Sequence, residues 1–154
     1  MKNGKYLVGF IGFGGIARWA HYPGWKKLSD VEVVGISDPS ENVRNIAKNE
    51  FGIKYVFENY EDLLKIEEID IIDVCAPNTV HYPATIASLK AGKHVICEKP
   101  LAVSRKEVED MIEQAKKSGK KLMAAQHMRF QKESVAIKKL IDDGELGEIY
   151  FAIA

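Results

Sequence analysis

The sequence predicts an α/β domain with a doubly wound parallel sheet, and three observations carry that prediction. Short runs rich in Val and Ile alternate with amphipathic stretches along most of the chain. The runs lack the apolar/polar alternation of half-exposed strands, which suits a parallel sheet covered on both faces. Gly, Pro and Ser fall at the boundaries, and no internal repeat overrides the order strand, helix, strand, helix.

Taken in order, the first strand is residues 6–11, closed by Gly12, and a helix over 15–22 is expected to end at Pro23 and Gly24. Strand two, residues 31–37, stops at Asp38-Pro39, and Ser40 caps a helix over 41–51. A short strand at 54–56 and a helix at 60–65 lead to strand four at 69–74. The next helix, 82–91, places Pro83 in its first turn and Gly92 after its end. Strand five is 94–97. Ser104 and Glu107 have capping-box spacing for a helix over 104–117, Gly119 follows it, and strand six is 121–125. Beyond Gln126 the pattern changes, with a helix over about 134–142 and an apolar run at 148–154 that reads as another strand beginning. The expected division is a sheet domain over 1–125, a crossover with a helix over 126–147, and at 148–154 the start of a second domain that the chain lacks.

The charge balance excludes several classes. The 154 residues carry 22 Lys+Arg against 22 Asp+Glu, so the long-range attraction behind nucleic-acid or anionic-membrane binding is missing. No apolar run approaches the roughly 20 residues that span a bilayer, and a cytoplasmic protein is expected. Cys75 and Cys97 show no zinc spacing and read as small buried apolar residues, and no His, Asp, Glu or Cys set has metal-site spacing. The cluster Lys116, Lys117, Lys120 and Lys121 surrounds a helix end, where cations suit the dipole.

The chemistry begins at Gly12-Phe13-Gly14-Gly15-Ile16-Ala17, a G-x-G-x-x-A sequence between a predicted strand and a predicted helix. That context is the dinucleotide-binding turn of a Rossmann-type sheet. Gly12 permits the tight turn, Gly14 lets backbone approach a pyrophosphate, and Ala17 lets the helix lie close on the sheet. The N–H groups around Gly15 and Ile16 then face phosphate, with the positive end of the helix dipole behind them. A turn needed only for packing is the competing reading. Asp38, 26 residues after Gly12 against the usual ~20, ends strand two and suits the ribose hydroxyls. Pro23 and Gly24 account for the extra length. With no Arg or Lys until Arg44, NAD is favoured over NADP; Asp38 also suits a turn before Pro39.

Ligands in an open parallel sheet lie outside the carboxyl ends of its strands. Strand four ends in Cys75-Ala76-Pro77-Asn78-Thr79-Val80-His81, and strand five in Glu98-Lys99-Pro100. An ammonium at Lys99 can stabilise the alkoxide-like charge that builds during hydride transfer, although an adjacent Glu and Lys also make an ordinary solvated ion pair. Trp19 and His21 follow the glycine turn closely enough to reach a cofactor, or else pack or face water; His94 reads as structural.

The set Gly12 to Ala17, Asp38, Pro77-Asn78 with His81, and Gly92-Lys93-His94-Val95-Ile96-Cys97-Glu98-Lys99-Pro100-Leu101-Ala102 resembles the N-terminal half of the glucose-fructose oxidoreductase and inositol dehydrogenase family, Gfo/Idh/MocA. The resemblance implies an NAD(P)-dependent oxidoreductase acting on a sugar, cyclitol or related polyol. It implies that Lys99 is catalytic and hydrogen-bonds the reacting hydroxyl, that Glu98 and Pro100 position it, and that Asn78 and His81 line the nicotinamide side. Cofactor contacts are accordingly expected from Gly12, Phe13, Gly14, Gly15, Ile16, Asp38, Ala76, Pro77, Asn78, His81 and Glu98. Arg129-Phe130 resembles the family's crossing beside the substrate, which makes Arg129 substrate-side. The family's second, open-faced sheet domain and its Asp-x-x-x-His pattern have no match here. The expected molecule is therefore a cofactor-binding domain, inactive by itself, that can form a homo-oligomer. Two other readings stay open: a non-catalytic NAD-binding sensor, and an S-adenosylmethionine methyltransferase, against which the Glu-Lys-Pro run and the glycine spacing argue.

Overall fold

In the computed structural model, which describes residues 4–153, six parallel strands form one sheet in the order β3-β2-β1-β4-β5-β6. They are β1 (Tyr6–Ile11), β2 (Val31–Ser37), β3 (Tyr55–Phe57), β4 (Ile71–Val74), β5 (His94–Cys97) and β6 (Leu122–Ala124). The winding reverses between β1 and β4, so their carboxyl ends part into a crevice at the centre of the sheet. The expected doubly wound α/β sheet is the observed one.

Alternation along β1 divides the core. Leu7 and Ile11 join Ile72, Val74 and Val95 on one face, against α3 (Tyr60–Leu64), α4 (Asn78–Lys90) and α5 (Arg105–Ser118). Val8 and Phe10 point to the other face, beneath Ala17 and α2 (Glu41–Asn49). The capping signals formed as expected. Ser40 accepts from the Val43 N–H, Ser104 and Glu107 make a full capping box, and Gly119 ends α5 at φ 65°.

Three local expectations need correction. Pro23 and Gly24 do not end the first helix; they lie within α1 (Tyr22–Trp25), which continues a π-helical turn over Ala17–His21. The Tyr22 N–H reaches back to the Ala17 carbonyl, and this wider turn resets the frame so that Pro23 falls near the start of α1, where its missing donor costs little. α4 begins at Asn78 with Pro77 as N-cap, four residues earlier than expected, so Pro83 is inside the helix. It is tolerated on the exposed side, where Thr79, whose carbonyl loses its donor, is itself exposed and open to solvent. After β6 come a 3-10 turn (His127–Phe130) and α6 (Lys132–Asp142), but residues 149–153 form no strand and are exposed. Ala154 lies outside the described residues. Among those residues no helix is long and apolar enough to cross a membrane.

Candidate cofactor site

The glycine turn is built from two glycines with different duties. Gly12 has φ +82°, its N–H donates to the Ser37 carbonyl, and a Cβ there would stand 2.7 Å from the Cys75 carbonyl oxygen and 2.8 Å from the Ala76 nitrogen. It is required by the fold, because β1 and the end of β4 converge on it. Gly14 is the reverse: a Cβ there would meet nothing within 4 Å. Both line an open cleft of about 650 Å³ between the ends of β1, β2 and β4, together with Asp38, Ala76, Pro77 and Asn59. Gly15 and Ile16 begin the helical segment, where N–H groups lack intrahelical acceptors. Ala17 is fully buried, as close packing of that segment on the sheet demands.

Phe13 has a structural part in the turn. Its ring is buried edge-on against Phe10, Tyr22 and Phe51, at centroid distances of 5.4, 6.0 and 5.2 Å, and its N–H donates to Asp38 Oδ2 at 2.9 Å. Asp38 therefore clamps the glycine turn to the end of β2. Its Oδ1 accepts the Ser40 N–H at 2.9 Å, so the carboxylate also shapes the turn before α2. Each oxygen keeps a second lone pair, and Asp38 borders the cleft. Arg44 lies nearer than its spacing suggests. Its guanidinium folds back to the carbonyls of Asp38 and Pro39, at 2.9 Å each, and stands 3.7 Å from Glu58.

On the far side, Ala76 and Pro77 border the cleft, and Asn78 is the exposed first residue of α4. His81 is only 1% exposed; its ring nitrogens lie 2.7 Å from the Pro100 carbonyl and 2.8 Å from the Ala76 carbonyl. It faces the cleft only through the backbone it holds, tying the loop after β4 to the loop after β5. Lys99 is exposed beyond β5, and among the described residues its ammonium has no hydrogen bond or ion pair. Arg129 is exposed in the 3-10 turn.

The structure adds a network that sequence reasoning missed. His21 Nδ1 donates to Asp73 Oδ2 at 2.9 Å and Nε2 donates to Glu98 Oε1 at 2.9 Å. Trp25 Nε1 donates to Asp73 Oδ2 at 2.7 Å, and Glu98 Oε2 accepts the Lys99 N–H at 2.9 Å. Asp73 is fully buried. Burial alone would lower the His21 pKa, but the hydrogen bonds and charges of Asp73 and Glu98 overcome it and raise it to about 9. In the same way burial would raise Glu98, yet the His21 contact and the Lys99 N–H hold it below the ordinary glutamate value. His21, Asp73 and Cys75 lie close enough to share a metal ion, but the Asp73 oxygens are spent on Trp25, His21 and Cys75. Burial and the Asp73 charge also push the Cys75 thiol far up, away from the thiolate a metal needs. One signal was present in the sequence: an Asp inside the apolar run Ile71-Ile72-Asp73-Val74-Cys75 has to find a buried partner.

The site fits a dinucleotide. The open position at Gly14 is where a pyrophosphate needs backbone without a Cβ, the helical segment begins beside it, and the Asp38 carboxylate borders the same cleft.

Comparison with known proteins agrees. Residues 6–126 match the model of the GFO_IDH_MocA oxidoreductase family, described as an NAD-binding Rossmann fold. The chain is 34% identical over 149 residues to an inositol 2-dehydrogenase/D-chiro-inositol 3-dehydrogenase of Lactiplantibacillus plantarum, covering 96% of the chain and 41% of that protein. It is 31% identical over 154 residues to a D-glucoside 3-dehydrogenase of Escherichia coli, covering all of the chain and 44% of that protein. Among solved structures, the myo-inositol 2-dehydrogenase from Lactobacillus plantarum superposes with a TM-score of 0.87 at 29% identity, over 94% of this chain and 43% of that one. The chain thus spans less than half the length of these relatives.

Proposed function

The chain belongs to the Gfo/Idh/MocA oxidoreductase family, and from that membership we propose that it is the cofactor-holding part of a dehydrogenase acting on hydroxyls of a cyclitol, sugar or related polyol, with NAD preferred to NADP. The observation that carries the reading is the open position at Gly14 beside Asp38 in the central cleft. Family membership removes the methyltransferase reading, and no feature of the cleft favours a sensor.

In this reading the N–H groups at Gly15 and Ile16 hold the pyrophosphate, and the remaining lone pairs of Asp38 accept from the ribose hydroxyls. Ala76, Pro77 and Asn78 flank the nicotinamide half. When bound, the cofactor supplies a nicotinamide carbon that takes up or releases hydride. Lys99 donates to the reacting oxygen and stabilises its developing negative charge. Glu98 does not compete for that role, because the His21 contact and the Lys99 N–H hold it below the ordinary glutamate value and keep it ionised, without a proton to donate. Arg129 binds a substrate hydroxyl from the segment after β6.

The NAD preference rests on a carboxylate at the ribose end and on an Arg44 whose charge is drawn to Glu58 and two carbonyls. Thermal unfolding with NADH, NADPH and S-adenosylmethionine tests the proposal. A ligand at 100 times its Kd stabilises by about 2.7 kcal/mol, so NADH is expected to raise the transition well above the others. Equal shifts with NADH and NADPH would remove the preference, and no shift with either would remove the proposal.

A further inference from the structure

Asp73 is an ionisable group in the middle of the sheet, and the fold goes to some length to serve it. The π-helical turn Ala17–His21 immediately precedes α1, and Trp25 and His21 both donate to the Asp73 carboxylate. The second nitrogen of His21 continues the chain outward to Glu98, whose other oxygen holds the Lys99 backbone N–H. One line of hydrogen bonds therefore joins the interior of β4, the helical segment that starts at the glycine turn, and the residue presented beyond β5. His21 and Glu98 also border a second cavity of about 310 Å³, with Ile16, Gln126, His127 and Phe130.

We propose that His21 is a positioning residue that acts through Glu98 to hold the turn presenting Lys99. The inference rests on the reading of Lys99 as the substrate-side cation. With Oε1 fixed by His21 and Oε2 fixed by the Lys99 N–H, the Glu98 side chain is a strut between the helical segment and the end of β5. Without the His21 bond, Oε1 faces the cavity, and the carboxylate is able to rotate and pair with the Lys99 ammonium, withdrawing that cation from a substrate oxygen. The imidazolium form is the one that holds both carboxylates, since only then do both ring nitrogens donate. The groups facing His21 are Asp73 and Cys75 from β4 and its end, Glu98 from the end of β5, Trp25 from α1, and His127 across the cavity.

Nuclear magnetic resonance on this chain tests the inference without any substrate. The His21 ring nitrogens and the Lys99 amide are followed from neutral to alkaline pH in the wild type and in Glu98→Gln, which keeps an acceptor for the Lys99 N–H but removes the charge opposite His21. The Lys99 amide is expected to shift with the same midpoint as the His21 ring, near 9, and to lose that shift in Glu98→Gln. A Lys99 amide that stays constant through the His21 titration, or that shifts identically in both proteins, overturns the inference. A Lys99→Ala variant separates this outcome from failure of the underlying reading. The amide of residue 99 should still track His21, because the contact is through the backbone, whereas unchanged hydride transfer in an active protein carrying Lys99→Ala would overturn the role of Lys99 alone.

Discussion

Replacing Gly12 and Gly14 separately by Ala should give opposite results, although the two residues stand two positions apart in one turn. At Gly12 the added methyl carbon would lie 2.7 Å from the Cys75 carbonyl oxygen and 2.8 Å from the Ala76 nitrogen, both rigid backbone, on a residue with φ +82°. A left-handed backbone costs a non-glycine residue roughly 1–2 kcal/mol, and overpacking adds about 1–3 kcal/mol. The expected loss is about 2–5 kcal/mol, a large share of the roughly 5–15 kcal/mol that holds a domain of this kind. At about 2–4 °C per kcal/mol, the Gly12→Ala transition should fall by about 4–20 °C. At Gly14 the methyl would meet no protein atom within 4 Å, so stability should stay within about 0.5 kcal/mol of wild type. The cost there appears only with ligand: Gly14→Val should weaken NADH binding tenfold or more, about 1.4 kcal/mol, in a folded protein. Calorimetric unfolding and NADH titration of each variant decide the matter. A Gly14→Val protein with wild-type NADH affinity, or a Gly12→Ala protein of wild-type stability, would refute this division between ligand and fold.

Asp38→Ala should narrow the ratio of NADH to NADPH affinity and, by orphaning the Phe13 and Ser40 N–H groups, destabilise the fold by about 1–3 kcal/mol; a ratio unchanged in titrations of a folded variant would contradict the ribose role. His21, raised from 6.5 to about 9 in the fold, contributes stability that is complete below pH 6.5 and is lost as pH rises through about 9. After allowance for solvent screening the loss is on the order of 2 kcal/mol, and it should be missing from denaturant midpoints of His21→Gln measured over the same range. The chain alone should bind NADH yet show no measurable polyol turnover, since the carboxylate adjacent to Lys99 is held below the ordinary glutamate value and is a weak proton acceptor; steady turnover at a rate usual for dehydrogenases would contradict that.

What could be read from the sequence was whatever is encoded locally. Runs such as Tyr6 to Ile11, the Ser104 and Glu107 pair and the glycine turn act through neighbours in the chain, and their elements formed where expected. Pro23 and Pro83 misled because their effect depends on surroundings: a π-helical turn ahead of one and open solvent beside the other made both compatible with helix. Phe13 and His81 sit within the expected motifs, but which way a ring points is decided by packing from Phe51, after α2, and from the Pro100 loop, far away in sequence. The His21, Asp73 and Glu98 network was beyond sequence reading for the same reason. Its members are separated by 52 and 25 residues, and they meet only because the π-helical turn is laid over β4 and β5.

The most direct test of the central claim, that the cleft at Gly14 and Asp38 holds NAD(H), is an amide resonance map of this chain titrated with NADH. Saturable shifts are expected at residues 12–16, 38–40 and 76–80, with little change along α5 and α6. Absence of shifts at millimolar NADH, or shifts concentrated away from the carboxyl ends of β1, β2 and β4, would contradict that claim.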